Sequence, residues 1–240
     1  ERYVINNNKN LEFYEKKTKK EFIERLIKQR INKSQKFIEY SPLAHKKLTI
    51  ISKIIKKNNG GLLIIDYGYN DKNIAHTSKK FQALVKTMAD YVKVGIHPSW
   101  ASNADTHKLS KEISRLEAIV NREVIRSRQH FLRLDLPTTY RRLIDLGILQ
   151  DYTMGYASQV GFRAGTSLPF YFYDLDMEMQ TSLMLHPFAV MDGTLNEYME
   201  LPLDDAQYLV KELLDYVKEV DGVFISLWHN ETLCDNRHWK

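Results

Sequence analysis

The chain has 240 residues, of which 43% are hydrophobic, a single cysteine and a formal net charge of +5. This composition fits one domain or two small ones, and it excludes a disulfide-stabilised scaffold, a collagen and a disordered tail. No apolar run approaches the roughly 18 residues of a membrane-spanning helix, and the N-terminus lacks the apolar core of a signal peptide. We therefore expect a soluble protein with no membrane span; the compartment stays open, with the cytoplasm slightly favoured, and the oligomeric state is undetermined.

The excess of positive over negative charge is confined to the first third of the chain. Residues 1–73 hold 17 Lys and Arg against 8 Asp and Glu, whereas residues 74–240 hold 18 against 22. The first part is therefore basic and the second mildly acidic. This difference indicates either two unrelated sequences that meet near residue 70 or one protein with a biased first third.

The first part predicts two helices followed by a strand. Residues 15–31 carry apolar side chains at helical spacing, and Ser41-Pro42 provides an N-cap hydroxyl followed by a proline suited to the first helical position. This second helix is expected to end at Asn59-Gly60-Gly61. Leu62-Leu63-Ile64-Ile65-Asp66 is too short for a helix and is typical of a strand buried in a parallel sheet, with Asp66 at its C-terminal end.

From about residue 74 onward, strands alternate with helices. Apolar spacing predicts helices over residues 77–91, 109–120 and 206–217, with one more before Gly147. The predicted strands cover residues 92–97, 124–131, 151–155, 170–173, 183–188 and 223–228. This order predicts a parallel α/β sheet or barrel, in which functional residues gather at the C-terminal ends of the strands.

Three histidines fall at or near predicted strand ends: His97, His130 and His229. Neutral imidazoles from three converging strands could bind a divalent metal such as zinc. Each of the three, taken alone, is more often a structural residue. Arg128 lies two residues before His130 on the predicted strand, so strand alternation places both side chains, and that of Arg126, on the same face. It could lower the pKa of a catalytic carboxylate or form a surface ion pair.

Two further features have a functional and a structural interpretation. The aromatic stretches at residues 152–156 and 169–173 suit a sugar ring, and they equally suit a packed core. The Lys-rich helices of the first part could suggest nucleic acid, but Glu15, Glu21 and Glu24 interrupt the positive charge and no reader motif is present. We therefore expect a solvated helix surface and no nucleic-acid partner.

Residues 92–240 resemble the C-terminal part of a polysaccharide deacetylase-like protein of the NodB-homology class. The resemblance extends back to about Tyr69. The strings that carry the resemblance are Gly95–Trp100, Ser127–Leu132, Asp151–Ala157, Gly161–Gly165 and Leu227–Asn230. The resemblance implies an α/β fold that is a partial (β/α) barrel, preceded here by the helix-helix-strand fragment. It also implies a carbohydrate substrate.

The resemblance also implies roles for individual residues. His97 matches the first histidine of the metal-binding His-Ser/Thr-x-x-His motif, and Ala101 stands where the second would be, so His130 is the candidate substitute. Arg128 matches an arginine that orients the catalytic base, and Phe131 a residue whose backbone N–H binds the oxyanion.

The remaining implied roles concern the departure of the amine. His229 lies in the Leu-x-His motif, where the histidine acts as the general acid, and Asp151 matches an acidic residue that orients that histidine. The implied reaction is metal-dependent hydrolysis of N-acetyl groups on amino sugars. The family's Thr-Phe-Asp-Asp motif, which supplies the base and a metal ligand, does not occur in this sequence, so impaired activity is expected.

A different resemblance covers the first 70 residues. Phe37–Leu43 and Gly60–Tyr69 resemble the middle of a SAM-dependent methyltransferase of the complex I assembly type, without that family's upstream glycine-rich turn. We therefore predict a chimera of a methyltransferase-like fragment, residues 1–70, and a deacetylase-like domain, residues 71–240. The alternatives are a methyltransferase fragment and a non-catalytic carbohydrate-binding remnant. In the deacetylase-like barrel, Leu62–Asp66 could replace a missing strand, with Asp66 in place of the absent carboxylate.

Overall fold

The computed structural model describes residues 2–7, 10–15, 53, 63–64, 79–229 and 232. The chain divides into two compact units, Glu1–Pro42 and Leu43–Lys240. The predicted helix over residues 15–31 falls outside the described residues except for Glu15, and the predicted second helix does so except for Lys53, which is helical. Asp66 also lies outside them.

The described part of the first unit is a β-hairpin that the sequence analysis did not anticipate. Strands β1 (Arg2–Asn7) and β2 (Asn10–Glu15) pair antiparallel, from Arg2 opposite Glu15 to Asn7 opposite Asn10. Both strands contain the β-branched and aromatic residues that favour strands, and asparagines stand where the chain reverses. The hairpin signal was therefore present in the sequence.

The helices of the second unit confirm the predicted helical segments. They are α1 (Lys79–Ala89), α2 (Thr106–Val120), α3 (Thr138–Asp145) and α4 (Leu203–Glu219). Helix α2 begins after Asp105, whose carboxylate accepts a hydrogen bond from the Lys108 N–H at 2.9 Å. It ends at Asn121, whose φ of 53° is the left-handed conformation common at helix ends. No described helix has the length and apolar character that crossing a bilayer would require.

The described strands of the second unit form one mixed sheet of four strands and two separate parallel pairs. They are β3 (Leu63–Ile64), β4 (Lys93–Val94), β5 (Arg126–Ser127), β6 (Gln150–Asp151), β7 (Phe170–Asp174), β8 (Met179–Leu185), β9 (Val190–Met191) and β10 (Ser226–Leu227). The four-stranded sheet has the order β5-β6-β8-β7. Strand β3 pairs with β4, β5 with β6, β6 with β8 and β9 with β10, all parallel, while β7 pairs antiparallel with β8. A parallel bridge between Ile96 and Ser127 continues β4 alongside β5. The described strands do not close into a barrel.

Strand β3 comes from the first third of the chain and pairs with β4, the first described strand after residue 71. Leu63 lies opposite Lys93 and Ile64 opposite Val94. The prediction that residues 62–66 contain a strand of a parallel sheet is thus confirmed for its two central residues.

Several predicted strands are shorter than expected, and one of them affects the candidate site. Residues 124–131 were predicted to be extended, but the strand covers only Arg126–Ser127, and His130–Leu132 form a 3-10 turn. The expectation that His130 shares a face with Arg128 by strand alternation is therefore wrong, because the alternation stops before His130.

The main hydrophobic core lies between the sheet and helices α1 to α3. Leu109 and Ile113 of α2 and Leu143 of α3 pack there with Leu183 and Leu185 of β8, all 5% exposed or less. A second cluster packs α4 against Val190 and Leu195.

Candidate active site

The C-terminal ends of four neighbouring strands carry one row of polar and aromatic side chains. Following β4, β5, β6 and β8 respectively, the row consists of His97, Arg128, Tyr152 and His186. Backbone hydrogen bonds fix the alignment, since Arg128 N donates to Ile96 O at 3.0 Å and Tyr152 N to Ser127 O at 2.9 Å. The sheet therefore brings together residues that are distant in sequence, as expected for this edge.

The ring of His97 is held by the backbone of the next strand. Its Nδ1 lies 2.8 Å from the carbonyl oxygen of Arg128. Because a carbonyl only accepts hydrogen bonds, Nδ1 carries the proton and Nε2 keeps its lone pair. Burial, together with the electrostatic effects of His130, Arg128 and His229, lowers the pKa of His97 to about 3. His97 is thus a neutral imidazole at physiological pH.

His130 stacks loosely on His97, with ring centroids 5.1 Å apart. Burial lowers the pKa of His130 as well. The next residue, Phe131, has a φ of 54°, and its ring lies 4.7 Å from that of His130 and 5.5 Å, edge to face, from Trp100. Phe131 and Trp100 are 65% and 54% exposed. The two neutral imidazoles are therefore bordered by an exposed aromatic surface.

Arg128 is buried at the centre of the row. Its Nε donates a hydrogen bond to the carbonyl oxygen of Tyr152 at 2.9 Å, and its guanidinium lies 5.6 Å from the centre of the Phe188 ring. Burial lowers the pKa of Arg128 to about 10, against the opposing effect of Asp151. Arg128 thus joins β5 to β6 by its side chain and holds His97 by its backbone.

His229 follows β10 and binds the carboxylate of Asp192, which follows β9. Its Nδ1 lies 2.7 Å from Asp192 Oδ1, and its backbone N–H donates to Oδ2 at 2.7 Å. Gly193 N donates to Oδ1 at 2.7 Å and the hydroxyl of Thr232 donates to Oδ2. Burial alone would raise the pKa of Asp192, but the hydrogen bonds from His229 and Thr232 outweigh it, so the pKa is lowered. Asp192 is therefore an ionised carboxylate that fixes the orientation of the His229 ring.

Asp151, the residue expected to orient His229, is bonded elsewhere. It is fully buried and accepts hydrogen bonds from Ser127 Oγ at 2.6 Å and from the N–H and hydroxyl of Thr153, each at 2.9 Å. Burial raises the pKa of Asp151, although these hydrogen bonds oppose the shift. The carboxylate that contacts His229 is Asp192, which the sequence analysis missed. Its signal was the apolar run before Asp192-Gly193, the same strand-end pattern that identified His97.

The expected metal site would be built from His97 and His130. His97 has a ring oriented by a carbonyl, as metal-binding histidines usually have, and His130 lies beside it. However, in the described part of the chain no group of three or more His, Cys, Asp or Glu side chains could hold a metal ion. A zinc site needs at least three protein ligands. The described residues therefore do not fit the expected metal centre.

Comparisons with known proteins give two different results for the two parts of the chain. Residues 1–98 match a family described as "Putative S-adenosyl-L-methionine-dependent methyltransferase". The fold resembles that of a "putative polysaccharide deacetylase" from Mycobacterium smegmatis, with a TM-score of 0.50 and 16% identity over 73% of this chain. None of the curated proteins matches the sequence.

Two further solved structures have lower similarity. One is a "putative polysaccharide deacetylase involved in o-antigen biosynthesis" from Bordetella bronchiseptica, with a TM-score of 0.45 and 12% identity over 76% of this chain and 64% of that one. The other is Puue allantoinase, with a TM-score of 0.48 and 13% identity over 75% of this chain and 57% of that one. The chain spans 60% of the length of the Mycobacterium smegmatis structure, with which it shares its fold.

Proposed function

We propose that residues 71–240 are the C-terminal part of a polysaccharide deacetylase-like hydrolase that binds N-acetylated amino sugars, and that residues 1–70 are a methyltransferase-like fragment joined to it. The observation that carries the proposal is the hydrogen-bonded pair of His229 and Asp192. The shared fold with a deacetylase-like structure supports it.

His229 is suited to protonate a leaving amine. The ionised Asp192 binds Nδ1–H and leaves Nε2 as the atom that exchanges a proton with the substrate. A buried carboxylate in this position also stabilises the imidazolium form that a general acid requires. In the proposed reaction the amide C–N bond of the tetrahedral intermediate breaks, and the proton of His229 Nε2 goes to the nitrogen.

Phe131 is suited to bind the oxyanion of that intermediate through its backbone. In the described part of the chain its N–H donates no hydrogen bond, and a φ of 54° turns the backbone sharply beside His130. A free backbone N–H near developing negative charge stabilises the transition state. The exposed rings of Phe131 and Trp100 offer apolar faces to a sugar.

Arg128 acts in this proposal as a positioning residue. Its carbonyl holds His97 in the Nδ1–H tautomer, and its side chain binds Tyr152 O. Asp151, bonded to Ser127 beneath the same strand ends, supports β5 and β6 rather than His229.

The activation of water is the step for which the described residues supply least. The sequence has no Thr-Phe-Asp-Asp motif, and the described side chains form no three-ligand group for a metal. We therefore propose that turnover is slow. The second candidate, a carbohydrate-binding protein without catalysis, is favoured by the exposed Trp100 and Phe131 pair.

The test measures acetate release from N-acetylglucosamine oligomers by the full chain, with and without added zinc and with a chelator. We expect slow release that is abolished in His229→Gln. His107→Gln, an exposed histidine on α2, is the matched control and should keep the rate. Oligomer binding without acetate release would favour the binding protein. Release that is unchanged in His229→Gln would overturn the proposed role of His229.

The family match of residues 1–98 makes methyl transfer a further candidate. It predicts binding of S-adenosylmethionine by the full chain, measurable by calorimetry. We expect no binding, because the sequence around Gly60-Gly61 has no glycine-rich phosphate or nucleoside turn of a recognised kind. Amplification across codons 60–80 from the source DNA tests the proposed join directly, since a continuous product shows a real fusion.

A further inference from the structure

The sheet face that carries His97 also carries a group of basic side chains deeper along the strands. The parallel register aligns Arg126 with Gln150 and Gln150 with Met184. These residues lie two positions before Arg128, Tyr152 and His186 on the same three strands. Side chains two residues apart on a strand share a face. Ser127 and Asp151, which are hydrogen-bonded to each other, occupy the opposite face.

We call Lys93, Arg126, Tyr152 and His186 the basic cluster. The rings of Tyr152 and His186 are stacked, with centroids 4.4 Å apart and planes 7° from parallel. Burial and then the charges of Arg126 and Lys93 lower the pKa of His186, so both cations lie close to its ring. Arg126 also interacts with the Tyr152 hydroxyl.

Glycine at position 95 allows Arg126 to lie where it does. A Cβ atom at Gly95 would be 3.0 Å from both Cβ and the carbonyl oxygen of Arg126, closer than side-chain atoms normally approach. The absence of a side chain at Gly95 therefore leaves room for the Arg126 side chain on this face of the sheet.

Two buried side-chain nitrogens of the basic cluster have no hydrogen-bond partner among the described residues. These are Arg126 Nε and His186 Nε2. Among the described residues, no carboxylate lies within ion-pair distance of Arg126 or Lys93. The strand positions of this face, from Lys93 and Gly95 through Gln150 to Met184, include no Asp or Glu. Buried donors without partners cost free energy, and unpaired like charges add to that cost.

We propose that the basic cluster binds an oxyanion, a carboxylate or a phosphate group of a small ligand. The guanidinium of Arg126 supplies paired N–H donors, a geometry that matches both groups. When its Nε2 carries the proton, His186 supplies another donor, and Lys93, which is exposed, adds positive charge. This site is separate from the His229 and Asp192 pair, and the proposal holds whether or not the protein turns over a substrate.

The test is calorimetric titration of the full chain with inorganic phosphate, D-glucuronate and D-glucose at millimolar concentrations. We expect binding of at least one anion and none of glucose, weakening as salt is added. Binding of phosphate alone assigns the site to a phosphate group, and binding of glucuronate alone to an acidic sugar. The absence of binding by both anions, or equal binding of glucose, would overturn the proposal.

Two variants and a control locate the binding. Arg126→Met should weaken binding of the anion about tenfold or more, because a charged hydrogen-bond donor is lost. His186→Phe keeps a ring to stack on Tyr152 and removes the donor, so it should weaken binding even if Arg126→Met does not fold. Arg122→Met is the control, because Arg122 is exposed and paired with Asp90. Equal weakening in this control would show a general charge effect and would contradict the proposal.

Discussion

The Nδ1 atom of His97 lies 2.8 Å from the carbonyl oxygen of Arg128. A side chain on one strand end is thus oriented by the backbone of the next, so no substitution of the Arg128 side chain removes this contact directly. The position of His97 therefore depends on the alignment of β4 with β5.

We expect His97 to remain neutral, with the proton on Nδ1, from about pH 5 to pH 8. The reason is the lowering of its pKa to about 3 by burial and by the neighbouring His130, Arg128 and His229. In nitrogen-15 NMR spectra of histidine-labelled protein, the His97 ring signals, assigned with the His97→Gln variant, should keep the positions of a neutral imidazole throughout this pH range. A titration of the His97 signals within this range would contradict the prediction.

The same shift affects stability in acid. Below about pH 6.5 the unfolded chain protonates His97 more readily than the folded chain does, so the free energy of unfolding falls as the pH drops from 6.5 toward 3. His97→Gln should lose less stability over this range than the wild type. Denaturant unfolding at several pH values measures the difference, and parallel losses in the two proteins would argue against it.

Asp192→Asn should destabilise the protein by about 1–3 kcal/mol, the cost of unsatisfied buried donors. Both oxygens of Asp192 accept two hydrogen bonds, so the amide nitrogen of asparagine would face donors in either orientation. Thermal unfolding measures the change. Asp215→Asn, at an exposed position of α4, is the control and should change stability by less than about 0.5 kcal/mol.

The contribution of Asp192 also depends on pH. Because its pKa is lowered in the folded protein, its stabilising effect is present above the ordinary pKa of aspartate and is lost as the pH falls through the folded value. The difference in stability between wild type and Asp192→Asn should therefore shrink in acid. A difference that stays constant would mean that the carboxylate charge plays no part.

Gly155→Ala should destabilise the protein by about 1–3 kcal/mol through overpacking. A Cβ atom there would lie 2.2 Å from the ring of Phe188, which is fully buried below the Arg128 guanidinium. Gly193→Ala is the matched control, because its Cβ would lie at ordinary contact distance from its nearest neighbours, 3.4 Å from Met191 Cε and 4.0 Å from Glu197 Oε2. Thermal unfolding of the two variants compares them, and equal melting temperatures would exclude a steric effect at Gly155.

Glu112→Ala should loosen the loop between His97 and Asn103. One carboxylate oxygen of Glu112 accepts from Ser99 Oγ at 2.6 Å and the other from Ser99 N at 3.0 Å, which ties the loop to α2. Hydrogen exchange of the Ser99 amide should become several-fold faster, because local opening no longer breaks these bonds. Lys111→Ala, exposed on the same helix, should leave this amide unchanged.

The predicted helices were found because each buries one stripe of apolar residues. Leu109, Ile113 and Val120 alone identify the buried side of α2. The strand ends followed from the same logic, since an apolar run that stops at a polar residue marks the edge of a parallel sheet. His97 and His130 indeed lie together there.

Other features depended on contacts that sequence spacing does not encode. The 3-10 turn at His130 interrupts a run of strand-forming residues, and Phe131 adopts a positive φ although nothing in its residue type requires it. Asp192 was missed because the predicted strand ended at residue 188, whereas Asp192 follows a further short strand, β9, at Val190–Met191. The antiparallel pairing of β7 with β8 depends on the turn between Asp174 and Met179. The carboxylate of Asp174 accepts a hydrogen bond from Arg141 of α3.

The parallel pairing of Leu63–Ile64 with Lys93–Val94 has a practical consequence for any division of this chain. A protein that begins at residue 71, as the two sequence resemblances would suggest, loses β3 and leaves one side of β4 without a hydrogen-bonding neighbour. An open strand edge of this kind invites pairing with other molecules and aggregation. A shortened protein intended for crystallisation or assay should therefore start before residue 63.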